Sequence, residues 1–562
     1  MFDVLIRGGT IVDGTNRKRY VGDIGIVADR IEAIGTDIDQ RAKQTIDASG
    51  LIVCPGFIDV HSHDDLAILH QPELPFKLLQ GVTTTIVGNC GHSVAPMPQD
   101  SSVRAGLRQY MEPVLGHWAG AREPFGYPEI TDFYDDIVRV DKSLNVGALV
   151  GHGPLRVRVM GFSDAPATVG EIEQMQRLLA DAMEAGALGL SLGLMYVPGC
   201  YSAAQELKAL AETVRAYDGI VTAHIRGEGD FLLPSIREML EIARATGVSM
   251  HISHLKVVGR KNWGTIDEAI TMIREARNVG LDVACDAYPY AAGSTTLLSL
   301  LPPWVLQGGI QSALSRLADP ELRHKAHEAL EAQGSDWENV AVITGWDRVV
   351  LVSSPSRKEF EGLSVADAAG KLSCDEIEAY FRVIEASAGT GTIVIHHMDN
   401  RDVEQVLAYE HALVGSDGLP SEEGHPHPRL YGTFPRFISK WVRESQVLTL
   451  EEAVRKATSA PADRFKLGDR GRIQRGAVAD ITIFDYHRFE DEATYENPKQ
   501  FACGLRYVMV SGKLVVRDGA IGPDHPGRFI RRLNHGGGRS GGCKSEVGRR
   551  GGGRSGDSVS CH

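Results

Sequence analysis

Little in this chain of 562 residues suits a membrane, an oxidising compartment or a polyanion. No apolar run approaches the roughly 20 residues that a bilayer-spanning helix needs. The opening MFDVLIRGGTIVDG lacks the basic start, long apolar core and small-residue cleavage site of a secretory signal. The eight cysteines, at positions 54, 90, 200, 285, 374, 503, 543 and 561, follow no framework spacing. Free thiols in a reducing, cytoplasmic setting are therefore expected. Positive charge is in deficit, with 59 Lys and Arg against 73 Asp and Glu and a formal net charge of −14. That sign argues against nucleic acid as a partner.

What is present is ample apolar material, 43% of the residues, arranged in three kinds of pattern. Residues 1–56 hold short alternating strands broken by turn signals, among them DVLIRGGTIVDG and DIGIVADRIEAIG, and read as a small all-β unit. Residues 57–467 alternate apolar strand-like runs with helical stretches: ATVGEIEQMQRLLADAMEAG has helical periodicity, and GIVTAHIRGEG follows as a strand. Residues 468–533 return to alternation in RGAVADITIFD and LRYVMVSGKLVVRDG, so the two end segments are expected to pair into one β-sandwich. Residues 534–562, rich in Gly, Ser and Arg with almost nothing to bury, are expected to be disordered. Between about 289 and 371 the chain is too long for a simple βα connection and reads as an ordered, helical insertion.

The repeated βα units of the middle segment close either into an eight-stranded barrel or into an open doubly wound sheet. Metal-capable side chains help to choose, because in a barrel the reactive residues sit at the C-terminal ends of several strands and face one mouth. GFIDVHSHDD ends an apolar run with His61 and His63, which as i and i+2 share a face. TTTIVGNC ends with Cys90, GIVTAHIRGE with His224, VSMHISHLK with His254 and HALVGSDG with Asp417. Each alone has a plainer reading: a strand-end histidine is ordinarily a satisfied polar residue, an Asp between Ser and Gly a turn former, a buried thiol a small hydrophobe. Six such groups at five strand ends point together to a metal centre. Cys54, Cys285 and Cys503 read as core thiols. His396 and His397, in TIVIHHMDN, fit a structural place at a strand end as well as a functional one.

The stretches PGFIDVHSHDD, GVTTTIVGNCG, GHGPLRVRVMG, AHIRGEG, SHLK, DAYPYAAGST, GSDG, HPHPRLYGTFPRF and NPKQFACGLRYVMVSGKLV carry a resemblance over all but the tail. The chain resembles the N-acyl-D-amino-acid deacylases (D-aminoacylases) of the amidohydrolase superfamily. Cys90 in GNCG together with HPHPRLYGTFPR is its narrowest mark. The resemblance implies an α/β fold: a (β/α)8 metal-dependent hydrolase barrel, a β-sandwich built from both chain ends, and a small insertion over the barrel mouth. It implies hydrolysis of N-acyl-D-amino acids to a carboxylate and a free D-amino acid, with a small-molecule partner. A monomer or small homo-oligomer is expected, the sequence leaving the choice between them open.

Many relatives with two metals bridge them with a carbamylated lysine from the fourth strand. Here the matching GALGLSLG has no lysine, and Cys90 resembles the residue that takes that place. Zinc is the expected cofactor, since it accepts both thiolate and imidazole. Cys90, His224 and His254 would form one tight site, with His61 and His63 serving a second, weaker one that Cys90 can bridge. Zinc lowers the pKa of water from about 15.7 toward 7, and Asp417 is the expected base. Arg429 matches the position that grips the substrate α-carboxylate through two parallel hydrogen bonds. Tyr288 and Lys256 resemble its companions, and Tyr196 is expected to support the acyl oxygen. His152 and Arg156, in GHGPLR, match a motif near the mouth and are expected first to organise a loop there and second to face substrate. Two alternatives stand beside this reading. One is a cyclic-amide hydrolase of dihydropyrimidinase or dihydroorotase type, which would ordinarily show the lysine; the other is a non-catalytic binding protein on the same scaffold, which should have lost ligands or base.

Overall fold

Eight parallel strands organise the middle of the chain: Phe57–Asp59, Val82–Val87, Asn145–Gly151, Gly189–Gly193, Ile220–His224, Ser249–Ile252, Val283–Ala287 and Ala412–Val414. They pair with their neighbours in chain order. A parallel bridge between Ser62 and Gly418 and a hydrogen bond from the Asp417 N–H to the His61 carbonyl, 2.8 Å, tie the last strand to the first, so the barrel is nearly closed. The structure is a computed structural model that describes residues 1–116, 118, 126–334, 336–354, 356–421 and 424–532. The segment 534–562, expected to be disordered, lies outside the described residues.

The barrel strands are buried at nearly every position. That is what parallel strands covered on both faces require, and it explains their continuous rather than alternating apolar runs. The fourth strand, GLSLG, needs its glycine: a Cβ at Gly189 would overlap the Ile220 carbonyl of the next strand. The helix Val169–Glu184 shows how sequence builds the outer ring. Thr168 and Glu171 form a capping box at its start, and Ile172, Met175, Leu179, Ala182 and Met183 recur at helical spacing to make its buried face.

Strands from both chain ends join in one nine-stranded sheet. Its N-terminal members are Phe2–Ile11, Tyr20–Val27, Arg30–Gly35, Ala42–Asp47 and Ile52–Pro55; its C-terminal members are Ile481–Phe484, Leu505–Val510, Lys513–Arg517 and Ala520–Ile521. The two sets meet where Ile52–Pro55 runs antiparallel to Ile481–Phe484. The first strand forks, its start pairing with Ala42–Asp47 and its end with Ile52–Val53. Gly8, at a φ of 64°, lies at the divergence. Ile6, Ile24 and Ile26 from one end share a core with Ile481, Ile483 and Met509 from the other.

The insertion is built on a three-stranded antiparallel sheet, Gly293–Thr296, Thr392–Ile395 and Val349–Ser353, accompanied by helices that include Ile310–Ala318, Pro320–Glu331, Val365–Leu372 and Glu376–Ala386. The excursion thus reaches Ile395, well past the expected boundary at 371. The apolar run TIVI has the look of a buried barrel strand, but its edges pair with the insertion's own strands. Cys54 and Cys285 are buried thiols as expected. Cys503 is not: it is partly exposed at a lone bridge to Glu490, where its Sγ donates to the Arg488 carbonyl at 2.8 Å. Among the described residues no helix is long and apolar enough to cross a membrane.

Candidate active site

The C-terminal ends of five barrel strands deliver the six metal-capable side chains to one place. His61 and His63 follow the first strand, Cys90 the second, His254 the sixth and Asp417 the eighth, while His224 is the last residue of the fifth. All six are buried. Cys90, His254 and Asp417 have φ values of 52°, 34° and 50°, a left-handed backbone that side chains other than glycine rarely adopt. Holding three such residues costs on the order of 1–3 kcal/mol each, and strain of this kind concentrates at functional sites.

Cys90 Sγ stands between His61 Nε2 at 3.1 Å and His254 Nε2 at 3.3 Å. Asp417 Oδ1 lies 3.4 Å from His61 Nε2 and 3.2 Å from His63 Nε2. The donor atoms of His61, Cys90, His254 and Asp417 all fall within 4.8 Å of one another, as do those of His224, Glu228 and His254. His254 belongs to both groups. His224 has neither ring nitrogen hydrogen-bonded, although both are buried. Two adjoining donor sets of imidazole, thiol and carboxylate, with a buried imidazole left unpartnered, suit a borderline-soft divalent ion such as zinc.

The electrostatics agree with that donor set. Burial pushes the Cys90 thiol up, but the charges of His61 and His254 outweigh it and hold the thiol well below its ordinary range. Burial likewise pushes Asp417 up and is overcome by Arg429 and His61, which keep the carboxylate ionised far below its usual range. Burial alone dominates at His224 and lowers it, favouring the neutral imidazole that binds metal.

Two carboxylates that hold these side chains in place are not singled out by the sequence reading. Asp286, buried on the seventh strand, faces His61 Nδ1 at 3.2 Å, accepts from His251 Nε2 at 2.9 Å and accepts the His254 backbone N–H at 2.9 Å. Glu228 faces His254 Nδ1 at 3.0 Å and accepts from Lys256 Nζ at 2.6 Å. Both motifs, DAYPY and AHIRGEG, were in view. The usable signal was chemical: a metal-binding histidine ordinarily gives its other ring nitrogen to a carboxylate, so an acid near each such strand end is worth seeking.

Above this floor opens a cavity of about 660 Å³, solvent at its mouth included. His63, Cys90, His224, His254 and Asp417 line it from the barrel, and Thr295, Glu338, Ile395 and His397 from the insertion. Of the expected substrate residues, Tyr196, Lys256 and Tyr288 line it too. The Tyr196 hydroxyl is 3.1 Å from Thr295 Oγ1, while the Tyr288 hydroxyl is buried without a partner. Arg429 lies behind the lining, fully buried at the start of the helix Arg429–Arg436. Its Nη1 is 2.9 Å from Asp417 Oδ2, its Nη2 donates to the Ser294 carbonyl at 3.1 Å, and its guanidinium stacks 4.6 Å from the Tyr288 ring.

His152 and Arg156 sit on the helix His152–Met160 rather than in a loop, both paired with buried Glu206. Arg156 does fasten the following turn, donating to the Ser163 and Ala165 carbonyls at 2.7 Å. His396 packs against Tyr495 outside the cavity lining, and His397 faces into the cavity.

Comparison with known proteins places this architecture. The Amidohydrolase family model (Amidohydro_3) matches residues 44–516. An N-acyl-D-glutamate deacylase from Alcaligenes xylosoxydans xylosoxydans is 36% identical over 531 residues, 94% of this chain and 96% of the relative. The solved N-acyl-D-glutamate deacylase from Bordetella bronchiseptica, complexed with zinc and a phosphonate mimic of the tetrahedral intermediate, superposes with a TM-score of 0.80 at 34% identity, covering 94% of this chain and 99% of that one. A solved D-aminoacylase with a binuclear metal centre superposes equally, TM-score 0.80 at 32% identity, covering 95% and 100%. With its barrel, its strand-end histidines and likeness over nearly its whole length, the chain belongs to the amidohydrolase family.

Proposed function

We propose that this chain hydrolyses N-acyl-D-amino acids, with zinc as its metal, to a carboxylate and a free D-amino acid. The observation that carries the reading is Cys90 Sγ lodged between His61 Nε2 and His254 Nε2 in a barrel whose fourth strand has no lysine. Cys90, His224 and His254 would hold the tight site and His61 and His63 a weaker second one; His254 belongs to both close donor groups, while His224 keeps company with Glu228 and Cys90 with His61 and Asp417. Zinc bound there would supply Lewis acidity for the acyl carbonyl and for water.

The chain's own residues do the rest. Asp417 is ionised, and its Oδ1 faces the two histidines of the first strand. It accepts the proton of the attacking water and passes it to the amide nitrogen as the C–N bond breaks. Arg429 grips the substrate α-carboxylate, with Tyr288 and Lys256 beside it; its Nε and the Tyr288 hydroxyl have no hydrogen-bond partner to give up. Tyr196 supports the acyl oxygen. Carboxylate, acyl group and scissile bond fixed at three points leave the side chain one direction, so only one enantiomer is productive. The insertion lies over the mouth and excludes water from the bound substrate.

The test is a hydrolysis screen of N-acetyl-D- and N-acetyl-L-amino acids on metal-analysed protein, with dihydrouracil as a cyclic-amide control. Cleavage of the D series with about one zinc per chain is expected. Equal cleavage of both enantiomers, or cleavage of the cyclic amide alone, overturns the reading.

A further inference from the structure

His397 has no role so far and an unusual setting. It lies two residues past the end of the insertion's strand Thr392–Ile395, and its carbonyl accepts from the Gly259 N–H at 3.0 Å and from Trp263 Nε1 at 3.1 Å, which lock that backbone to the loop after the sixth barrel strand. The side chain is buried at 7% exposure, faces the cavity, and has neither ring nitrogen hydrogen-bonded. A buried polar group without a partner is costly, on the order of 1–3 kcal/mol, and calls for a ligand or a water.

A second unpartnered polar atom points to the same spot. A Cβ built on Gly293 would stand 2.9 Å from His397 Nε2 and 3.3 Å from the Tyr288 hydroxyl. Gly293 thus leaves open a corner on which two hydrogen-bonding groups converge. Two cations flank it: the Arg429 guanidinium lies 4.6 Å from the Tyr288 ring centre and Lys256 Nζ 5.7 Å from it. A corner with two free hydrogen-bonding groups between two cations fits a carboxylate.

We infer that His397 is a substrate-contacting residue: its Nε2–H donates to the α-carboxylate of the bound N-acyl-D-amino acid beside the Tyr288 hydroxyl, so that barrel and insertion grip the same group. This rests on the function proposed above. Burial and then Lys256 push the His397 imidazole down to about 3, so the ring is neutral near pH 7 and keeps one N–H to donate. The insertion is then more than a cover, because it supplies one of the hydrogen bonds by which an acid is told from its amide.

The experiment compares wild type with His397→Phe and His397→Gln, each zinc-loaded and metal-analysed. It measures KM for N-acetyl-D-leucine and the inhibition constant of its α-carboxamide as a competing ligand. Loss of a hydrogen bond to a charged group predicts a KM raised about ten- to a hundredfold in His397→Phe, with zinc content, kcat and carboxamide inhibition little changed, and recovery of most of the loss in His397→Gln. A KM unchanged in His397→Phe, or acid and carboxamide weakened equally, overturns the assignment alone. Wild-type protein that cleaves no N-acetyl-D-amino acid overturns the underlying function and this assignment with it.

Discussion

Cys90 occupies a left-handed backbone position so that its sulfur can reach two histidines at once. Replacing it by Ala should remove zinc and activity together; a normal zinc content with full turnover would show that the metal sits elsewhere. Asp417→Asn should keep its zinc, read by metal analysis, and lose about 10²- to 10⁴-fold in kcat, the range of a lone general base. Arg429→Met has two expected effects because Arg429 has two neighbours. The KM for N-acyl-D-amino acids should rise, and Tm should drop, since breaking a buried ion pair from one side costs about 3–5 kcal/mol and Asp417 Oδ2 sits 2.9 Å from Nη1. The loss of Tm is the discriminating readout, because a residue that only met substrate would leave the ligand-free protein's stability alone.

Elements differ in how far their sequence announces them. The barrel's strands and capped helices were legible because burial on both faces and 3.6-residue spacing leave periodic marks, and the gathering of metal-capable side chains at strand ends was legible because the fold places reactive groups there. Asp286 and Glu228 were not, since what marks them is contact between residues distant in the chain or on opposite sides of a turn, and that has no period. The strand Thr392–Ile395 is the opposite case, an apolar run alone being silent about its partner, which here is the insertion's own sheet. The insertion also carries Glu338, which accepts the Asp230 and Phe231 backbone N–H groups at 3.1 and 3.2 Å and so fastens it to the loop after the fifth barrel strand. Burial pushes this carboxyl up to about 7 from 4.5, with the two N–H groups opposing. A carboxyl that binds its proton more tightly when folded contributes stability below its unfolded pKa and loses it as pH rises through its folded one. Between about pH 4.5 and 7, therefore, wild type should lose up to about 3 kcal/mol that Glu338→Gln does not lose. Parallel Tm-versus-pH curves for the two proteins would rule this out.

At the scale of the whole molecule, the metal and the barrel should be energetically one. A donor set drawn from five strand ends forms only when the barrel closes, so zinc should bind the folded chain alone and stabilise it by mass action, about 2.7 kcal/mol at a free concentration a hundred times Kd. Chelation should lower Tm in calorimetry and zinc should restore it; a Tm indifferent to chelator would mean that the barrel holds its ligands in place without an ion. The nine-stranded sheet has a different bearing, on how the protein is made. Its strand Ile52–Pro55 pairs with Ile481–Phe484, more than four hundred residues later. At a synthesis rate of about 5–20 residues per second, the early strands leave the ribosome roughly twenty seconds to a minute and a half before that partner exists. Throughout that interval Ile52–Pro55 shows a bare hydrogen-bonding edge to the cell. A ribosome that stalls inside the barrel therefore releases a chain marked by that edge, the kind of surface that chaperones and aggregates both recognise.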